Sequence, residues 1–258
     1  MVSLQVVTGH MGFIGKRMTD HLSDWKGCDL KDGCDINLDW NIPFGASRVY
    51  HLAATAGIND CYAHPQECFD NNLLATFAIA QQCAAQKIPL TFTSSLAAAN
   101  TSSSFYAAAK GACELLIDEM LPGFHSIFRL SNVYGPGSEN KTSVVAAMCK
   151  EAIKDNTITV HGDGRQTRDL VYVDDVCQAL VDSPPGKWNL CTGVQTEIKE
   201  LALYISQLSG AEVRYAEDIS PGPVPVNSSF RKYPKRAMVD WESGVKVTYR
   251  YFRDLLGE

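Results

Sequence analysis

The sequence has no block rich in lysine and arginine, no Cys-x-x-Cys pair and no apolar run long enough to span a bilayer. With a formal net charge of -6, the first absence argues against a nucleic-acid-binding surface as the main business of the chain. The nine cysteines (Cys28, Cys34, Cys61, Cys68, Cys83, Cys113, Cys149, Cys177 and Cys191) are odd in number. No cluster with histidine has zinc-ligand spacing, so no metal site is expected and a reducing cytoplasm fits best. The third absence argues against a membrane span, and the start of the chain shows no basic stretch followed by an apolar one, so no targeting signal is visible. There is also no internal repeat. What is present is 258 residues with 45% hydrophobic content, enough for one large domain or a domain with a smaller lobe.

Leu4 to Val7 reads as a buried strand, and Ile14, Met18, Leu22 and Trp25 recur at helical spacing after it. Further strands are expected over 48–52, 89–93 and 126–130, separated by helices over 65–86 and 105–121. The alternation implies an α/β fold with a parallel, doubly wound sheet. After Gly135-Pro136-Gly137 the pattern loosens into a helix over 143–154, a strand over 157–160 and the turn His161-Gly162-Asp163-Gly164, which suggests a smaller second lobe. Helices over 174–181 and 196–208 follow, and the proline-rich stretch 219–226 reads as a surface loop.

Between the first strand and helix lies Thr8-Gly9-His10-Met11-Gly12-Phe13-Ile14-Gly15. Here the first glycine permits a tight turn, the second a close approach of backbone to pyrophosphate, and the third close helix–sheet packing. A dinucleotide site is therefore expected around Gly9, Met11, Gly12, Phe13, Ile14 and Gly15, against the plainer reading of an ordinary glycine turn. Asp29, twenty residues after Gly9, is placed to hold ribose hydroxyls and favours NAD over NADP. Asp32 is a rival for that role, and Lys31 keeps NADP open. Farther on, Tyr106 and Lys110 are four residues apart and share a helix face, so the ammonium can lower the pKa of the phenol. The plainer reading is an exposed helix with a snorkelling lysine. His51, at a strand end, reads as packed rather than as an acid or base, and Cys113 as part of a buried helix face.

Taken together, these motifs resemble the extended short-chain dehydrogenase/reductases, in particular the nucleotide-sugar epimerases and dehydratases. The resemblance also rests on Asp35-Ile36, His51-Leu52-Ala53-Ala54, Asn71-Asn72, the run Arg129 to Gly137, the run Gly162 to Val176 and Asn189 to Gly193. It implies a Rossmann-type NAD-binding domain over 1–134 with 170–190, and a small nucleotide-sugar-binding lobe over 135–169 with 191–258. It further implies that Asp35 and Ile36 border the adenine, that Leu52, Ala53 and Ala54 line the cofactor, that Asn71 supports the active site, and that Asn132 and Arg168 hold a diphosphate. The plainer readings of the last two are a strand cap and a surface ion pair of Arg168 with Asp169. Ser95 completes a catalytic set with Tyr106 and Lys110 by the same resemblance, which also implies a homodimer.

Relatives begin alike, with proton removal from the C4 hydroxyl by the tyrosine and hydride transfer to NAD. A dehydratase needs an acid/base pair directly after the serine, where this chain has Leu96 and Ala97; the branch that epimerises and reduces a keto sugar places a cysteine there. Elimination favours C4 epimerisation through a transient 4-keto sugar. A dehydratase, a reductase or dehydrogenase, and a non-catalytic dinucleotide-binding scaffold remain as alternatives. The stretch from Ser95 to Tyr106 is shorter than is usual in these relatives, and the tail lacks their LGW element.

Overall fold

The computed structural model describes residues 3–38, 40–139, 143–217, 229–234 and 238–257. The elements in chain order are β1 (Gln5–Thr8), α1 (Phe13–Thr19), β2 (Trp25–Cys28), β3 (Arg48–His51), α2 (Ile58–Ala63), α3 (Pro65–Cys68), α4 (Ala75–Gln86), β4 (Leu90–Ser95), α5 (Phe105–Met120) and β5 (His125–Leu130). They continue with β6 (Asn132–Tyr134), α6 (Val144–Lys154), β7 (Thr157–His161), β8 (Thr167–Tyr172), α7 (Val173–Asp182), β9 (Gly186–Leu190), β10 (Gln195–Glu197), α8 (Ile198–Ser209), β11 (Glu212–Ala216), β12 (Arg231–Lys232) and α9 (Trp241–Leu256).

Two compact units divide the chain. The first comprises Met1–Leu130, Cys177–Leu190 and Val226–Tyr233; the second comprises Ser131–Val176, Cys191–Pro225 and Pro234–Glu258. Residues 131–134 and 170–176, assigned from sequence to the first domain, thus fall in the second unit, because β6 pairs with β8 there. Residues 229–233 fall in the first, because β12 extends its sheet beside β9.

In the first unit seven strands form one sheet in the order β12-β9-β5-β4-β3-β1-β2. Every pairing in it is parallel. Strands buried on both faces read as apolar runs, which is why Val6, Val7, Val49, Leu90, Phe92, Ile127 and Phe128 are almost fully buried. The chain steps to opposite sides of β1 when it forms β2 and β3. A crevice at such a reversal, beyond the carboxyl ends of the strands, is where α/β sheets bind ligands. The glycine loop leaves β1 there, Asp29 follows β2, Leu52 follows β3 and Ser95 ends β4.

Trp25 does not continue the first helix. The helix stops at Thr19 with Asp20 as its C-cap, and Trp25 opens β2 opposite Gln5. Apolar residues at helical spacing misled because the strand follows after only five residues, and because Trp25 packs on the His10 ring, 5.4 Å between centroids, across the side-chain-free Gly27. The expected helix over 65–86 is α3 and α4 joined by a π-helical segment over Phe69–Leu74. Such segments are rare and concentrate at functional sites.

The second unit contains a three-stranded sheet, β10-β8-β6, and the parallel pair β11-β7. Its core gathers Tyr134, Met148, Ile158, Leu201 and Phe252 from β6, α6, β7, α8 and α9. Thr196 lies in β10 opposite Arg168, and the helix expected from residue 196 begins at Ile198. The proline-rich loop expected over 219–226 lies outside the described residues.

Candidate active site

At the end of β1, the Gly9 amide donates to the carbonyl of Cys28 at 2.8 Å, and that of Gly12 to Gly9 O at 3.0 Å. Gly9 has φ +72°, and a Cβ on it would lie 2.6 Å from the backbone nitrogen of Ala53. At Gly15 a Cβ would come within 2.1 Å of Gly9 O. Both positions thus exclude any side chain, for the two reasons a dinucleotide turn requires: chain reversal and close helix packing. Phe13 and Ile14 open α1 directly behind the loop.

The carboxylate of Asp29 closes this turn against the next. Its Oδ2 accepts from the amide of Met11 at 2.9 Å and its Oδ1 from that of Lys31 at 2.9 Å. The Lys31 ammonium donates to Met11 O at 3.5 Å. Asp32, the rival acid, instead takes His10 Nε2 at 3.2 Å and the backbone amide of Asp29 at 3.3 Å. Asp35 caps its own turn through the Asn37 amide, with Ile36 buried behind it. At the end of β3 the Leu52 amide donates to Thr8 O at 3.1 Å and that of Ala53 to Thr8 Oγ1 at 3.4 Å; Ala54 follows, half-buried.

Beneath this floor His51 is wholly buried, as the packed reading expected. Its Nδ1 meets Thr8 Oγ1 at 2.6 Å and its Nε2 meets Thr76 Oγ1 at 3.0 Å. The Thr76 hydroxyl spends its proton on Asn72 O, so His51 carries its proton on Nε2 and accepts from Thr8. Desolvation, with the nearby Lys110 charge, lowers its pKa to about 3.

In the π-helical segment the half-buried Asn71 donates to Thr55 Oγ1 at 3.1 Å. Its neighbour Asn72, 1% exposed, accepts from the amide of Thr55 at 2.9 Å and donates to its carbonyl at 3.1 Å. Thr55 and Asn72 lay outside the sequence argument; the Asn-Asn doublet was the available signal.

Ser95 ends β4, and α5 starts from its N-cap Ser104. These two elements place Ser95 where its hydroxyl acts on the Tyr106 phenol. Lys110, one turn on and 3% exposed, donates to Thr93 O at 3.0 Å and lies 4.7 Å from the centroid of the Phe92 ring. The expected lowering of the phenol pKa by Lys110 is not what dominates. Burial pushes Tyr106 up to about 12, with the Ser95 hydroxyl acting in the opposite direction. A second link between β4 and α5 is a Ser94 hydroxyl bond to the Glu114 carboxylate, which Arg129 also grips. After Ser95 the chain turns through Leu96–Ala99, and the Leu96 and Ala97 side chains there are apolar and half-buried.

In the second unit Asn132 and Arg168 line a cavity of about 220 Å³ with Val133, Tyr134, Ser143 and Val144. Asn132 donates to Asp169 O at 3.3 Å, and Arg168 Nη1 to Thr167 O at 2.8 Å, with the guanidinium half-buried. Asp169 is no surface partner of Arg168. It is 7% exposed and accepts from Ser131 Oγ, from the Thr192 amide and hydroxyl, and from the Gly193 amide at 2.6 Å. No group of histidine, cysteine, aspartate and glutamate able to hold a metal occurs among the described residues.

The profile of the NAD dependent epimerase/dehydratase family matches residues 42–182. The chain belongs to that family. It is accordingly an NAD-dependent enzyme, and the glycine turn with Asp29 beside it has the shape and donors that NAD needs. Among relatives, the chain is 31% identical over 228 residues to a UDP-glucuronate 4-epimerase from Thermodesulfobacterium geofontis, covering 69% of this chain and 70% of that one. It is 29% identical over 198 residues to a UDP-2-acetamido-2,6-beta-L-arabino-hexul-4-ose reductase from Pseudomonas aeruginosa, covering 74% of this chain and 52% of that protein. Among solved structures, a UDP-N-acetylglucosamine 4-epimerase from Methanobrevibacter ruminantium, in complex with UDP-N-acetylmuramic acid, superposes with a TM-score of 0.84 at 24% identity. The match covers 98% of this chain and 99% of that one, and establishes the shared fold.

Four of the nine cysteines pair. Cys28 is bonded to Cys34 and Cys61 to Cys68, while Cys83, Cys113, Cys149 and Cys177 are buried and form no disulfide. The turns after β2 and α2 bring each pair to a Cα separation of 5.1 Å, within bonding range, although neither has a familiar sequence spacing. No helix among the described residues is long and apolar enough to cross a membrane.

Proposed function

We propose that this chain is a nucleotide-sugar epimerase acting at C4 through a transient 4-keto sugar. The first unit serves as its NAD-binding domain and the second as its nucleotide-sugar-binding lobe. One observation carries the reading: the Ser95 hydroxyl acts on the Tyr106 phenol, and the two residues that follow Ser95 are Leu96 and Ala97. A hydroxyl can be deprotonated and reprotonated there, and no neighbouring acid or base is supplied for elimination.

NAD, when bound, would supply the acceptor and donor of hydride. Gly9, Met11, Gly12, Phe13, Ile14 and Gly15 form the turn that receives its pyrophosphate, Asp29 accepts its ribose hydroxyls, Asp35 and Ile36 border the adenine, and Leu52, Ala53, Ala54 and Asn71 line the rest. Ser95 holds the sugar oxygen and passes its proton to Tyr106, whose ring is aligned by α5. Lys110, fixed by Thr93 O, keeps a positive charge beneath the site. Asn132 and Arg168 bind the diphosphate, for which a half-buried guanidinium is well suited.

NMR of UDP-glucose, UDP-galactose and their N-acetyl forms incubated with the NAD-loaded enzyme tests this directly. Interconversion at C4 is expected; complete absence of it with all four would reject the reading. Similarity to the hexulose reductase favours a second reading, net reduction of a keto sugar. Stoichiometric loss of NADH absorbance would select it. The enzyme is further proposed to be a cytoplasmic homodimer. Phe77 on α4 and Phe105 and Leu115 on α5 are exposed apolar side chains that a second copy would cover, and a light-scattering mass of one chain would remove that part.

A further inference from the structure

The disulfide between Cys28 and Cys34 encloses the turn that presents Asp29. Cys28 is the last residue of β2, an edge strand bonded to β1 alone. Its carbonyl accepts the Gly9 amide, so the same residue anchors the glycine turn. At the other end of the bridge, the Cys34 amide donates to Asp29 O at 3.0 Å and to Asp32 Oδ1 at 3.2 Å. Two of the segments proposed to meet a dinucleotide are therefore joined to this bridge, the glycine turn through the Cys28 carbonyl and the Asp29 turn by enclosure between the two cysteines.

We propose that Cys28–Cys34 is a redox-modification site at which a dithiol reductant controls the grip of the chain on NAD. The two sulfurs differ in access: Cys28 is fully buried and Cys34 is half-exposed. A reductant thiolate attacks Sγ of Cys34, forming a mixed disulfide as the Cys28–Cys34 bond breaks and Cys28 leaves as thiolate. The second thiol of the reductant then attacks the mixed disulfide, releasing Cys34. Two electrons and two protons pass to the protein, and the reductant leaves as its own disulfide. Cys61 and Cys68 are both fully buried, and their bridge is shielded from the same attack.

Opening the bridge leaves the Asp29 turn held by hydrogen bonds alone, at the edge of the sheet. The turn gains conformational freedom that NAD must remove on binding. Disulfides in reducing compartments are typically transient and regulatory, which fits a bridge with one reachable sulfur placed beside a cofactor. The inference depends on NAD binding and not on the sugar chemistry proposed above.

The test is the NAD dissociation constant of the cofactor-free chain, measured by calorimetry before and after mild dithiol treatment, with alkylation and mass spectrometry to locate the opened bridge. Reduction should open Cys28–Cys34 first and weaken NAD about tenfold, reversed on reoxidation. Cys34→Ser, checked for an intact melting transition, should bind like the reduced chain and ignore dithiol. If Cys28 and Cys34 become alkylated and the affinity does not move, or if they resist dithiol in the folded chain, the inference is wrong. Should Cys34→Ser fail to fold, the reduced and reoxidised wild-type chain decides alone. A redox-responsive NAD affinity in a chain that epimerises no sugar would overturn the proposed function and leave this inference standing.

Discussion

Arg129 grips the carboxylate of Glu114 with two parallel hydrogen bonds, 2.9 Å from Nε to Oε1 and 2.6 Å from Nη2 to Oε2. Both residues are nearly buried, and the Phe230 ring covers the guanidinium, with its centroid 3.7 Å away. Removing one partner leaves an uncompensated charge in the core. Arg129→Met should therefore cost about 3–5 kcal/mol by urea unfolding. Pairing it with Glu114→Leu should recover much of that loss; additive losses would show that the pair is not coupled.

Tyr106→Phe keeps the ring and removes the proton. Turnover should fall by about 10²–10⁴, the range typical of a lost proton-transfer group, while NAD affinity stays within a few fold. Single-turnover assays beside calorimetry make the comparison. An unaffected rate would take the proton-transfer role away from Tyr106.

His51 gives stability a pH dependence of known sign. Its folded pKa, about 3, lies below the ordinary histidine value of 6.5, so between those limits the unfolded chain holds more protons than the folded one. Stability should rise with pH through that window and level off above it, with a slope of up to about 1.4 kcal/mol per pH unit. Urea unfolding should show that slope in the wild type and lose its His51 share in His51→Gln. Equal slopes would mean that His51 titrates as freely in the fold as in the unfolded chain.

Gly15→Ala places a methyl carbon against Gly9 O, and the loop must open to admit it. NAD binding should weaken at least about tenfold, with a smaller change in melting temperature, because the turn is at the surface of the sheet. Gly33→Ala makes a useful contrast. Nothing lies within 4 Å of its Cβ position, so only its left-handed backbone, φ +82°, opposes the change.

The parts of the site that were legible in sequence are those whose requirement is local. Gly9 and Gly15 announce a turn that tolerates no side chain, and Tyr106 with Lys110 announces one face of one helix. Residues recruited through space were not legible. Asn72 draws its importance from Thr55, Glu114 from Ser94 and Arg129, and Asp169 from a loop more than twenty residues away. The cysteine pairs failed for the same reason, since only the path of the turns brings their sulfurs together. Trp25 failed differently: an apolar residue at helical spacing says nothing about where the helix stops.

The chain of contacts from Thr8 through His51 and Thr76 to Asn72 has one orientation, because Thr76 already gives its proton away and every donor behind it must point the same way. The file ends on the Asn72 carbonyl, which takes up no proton, and His51 stays neutral within it. A neutral imidazole held from both sides ties the ends of β1 and β3 to the start of α4 without adding charge of its own.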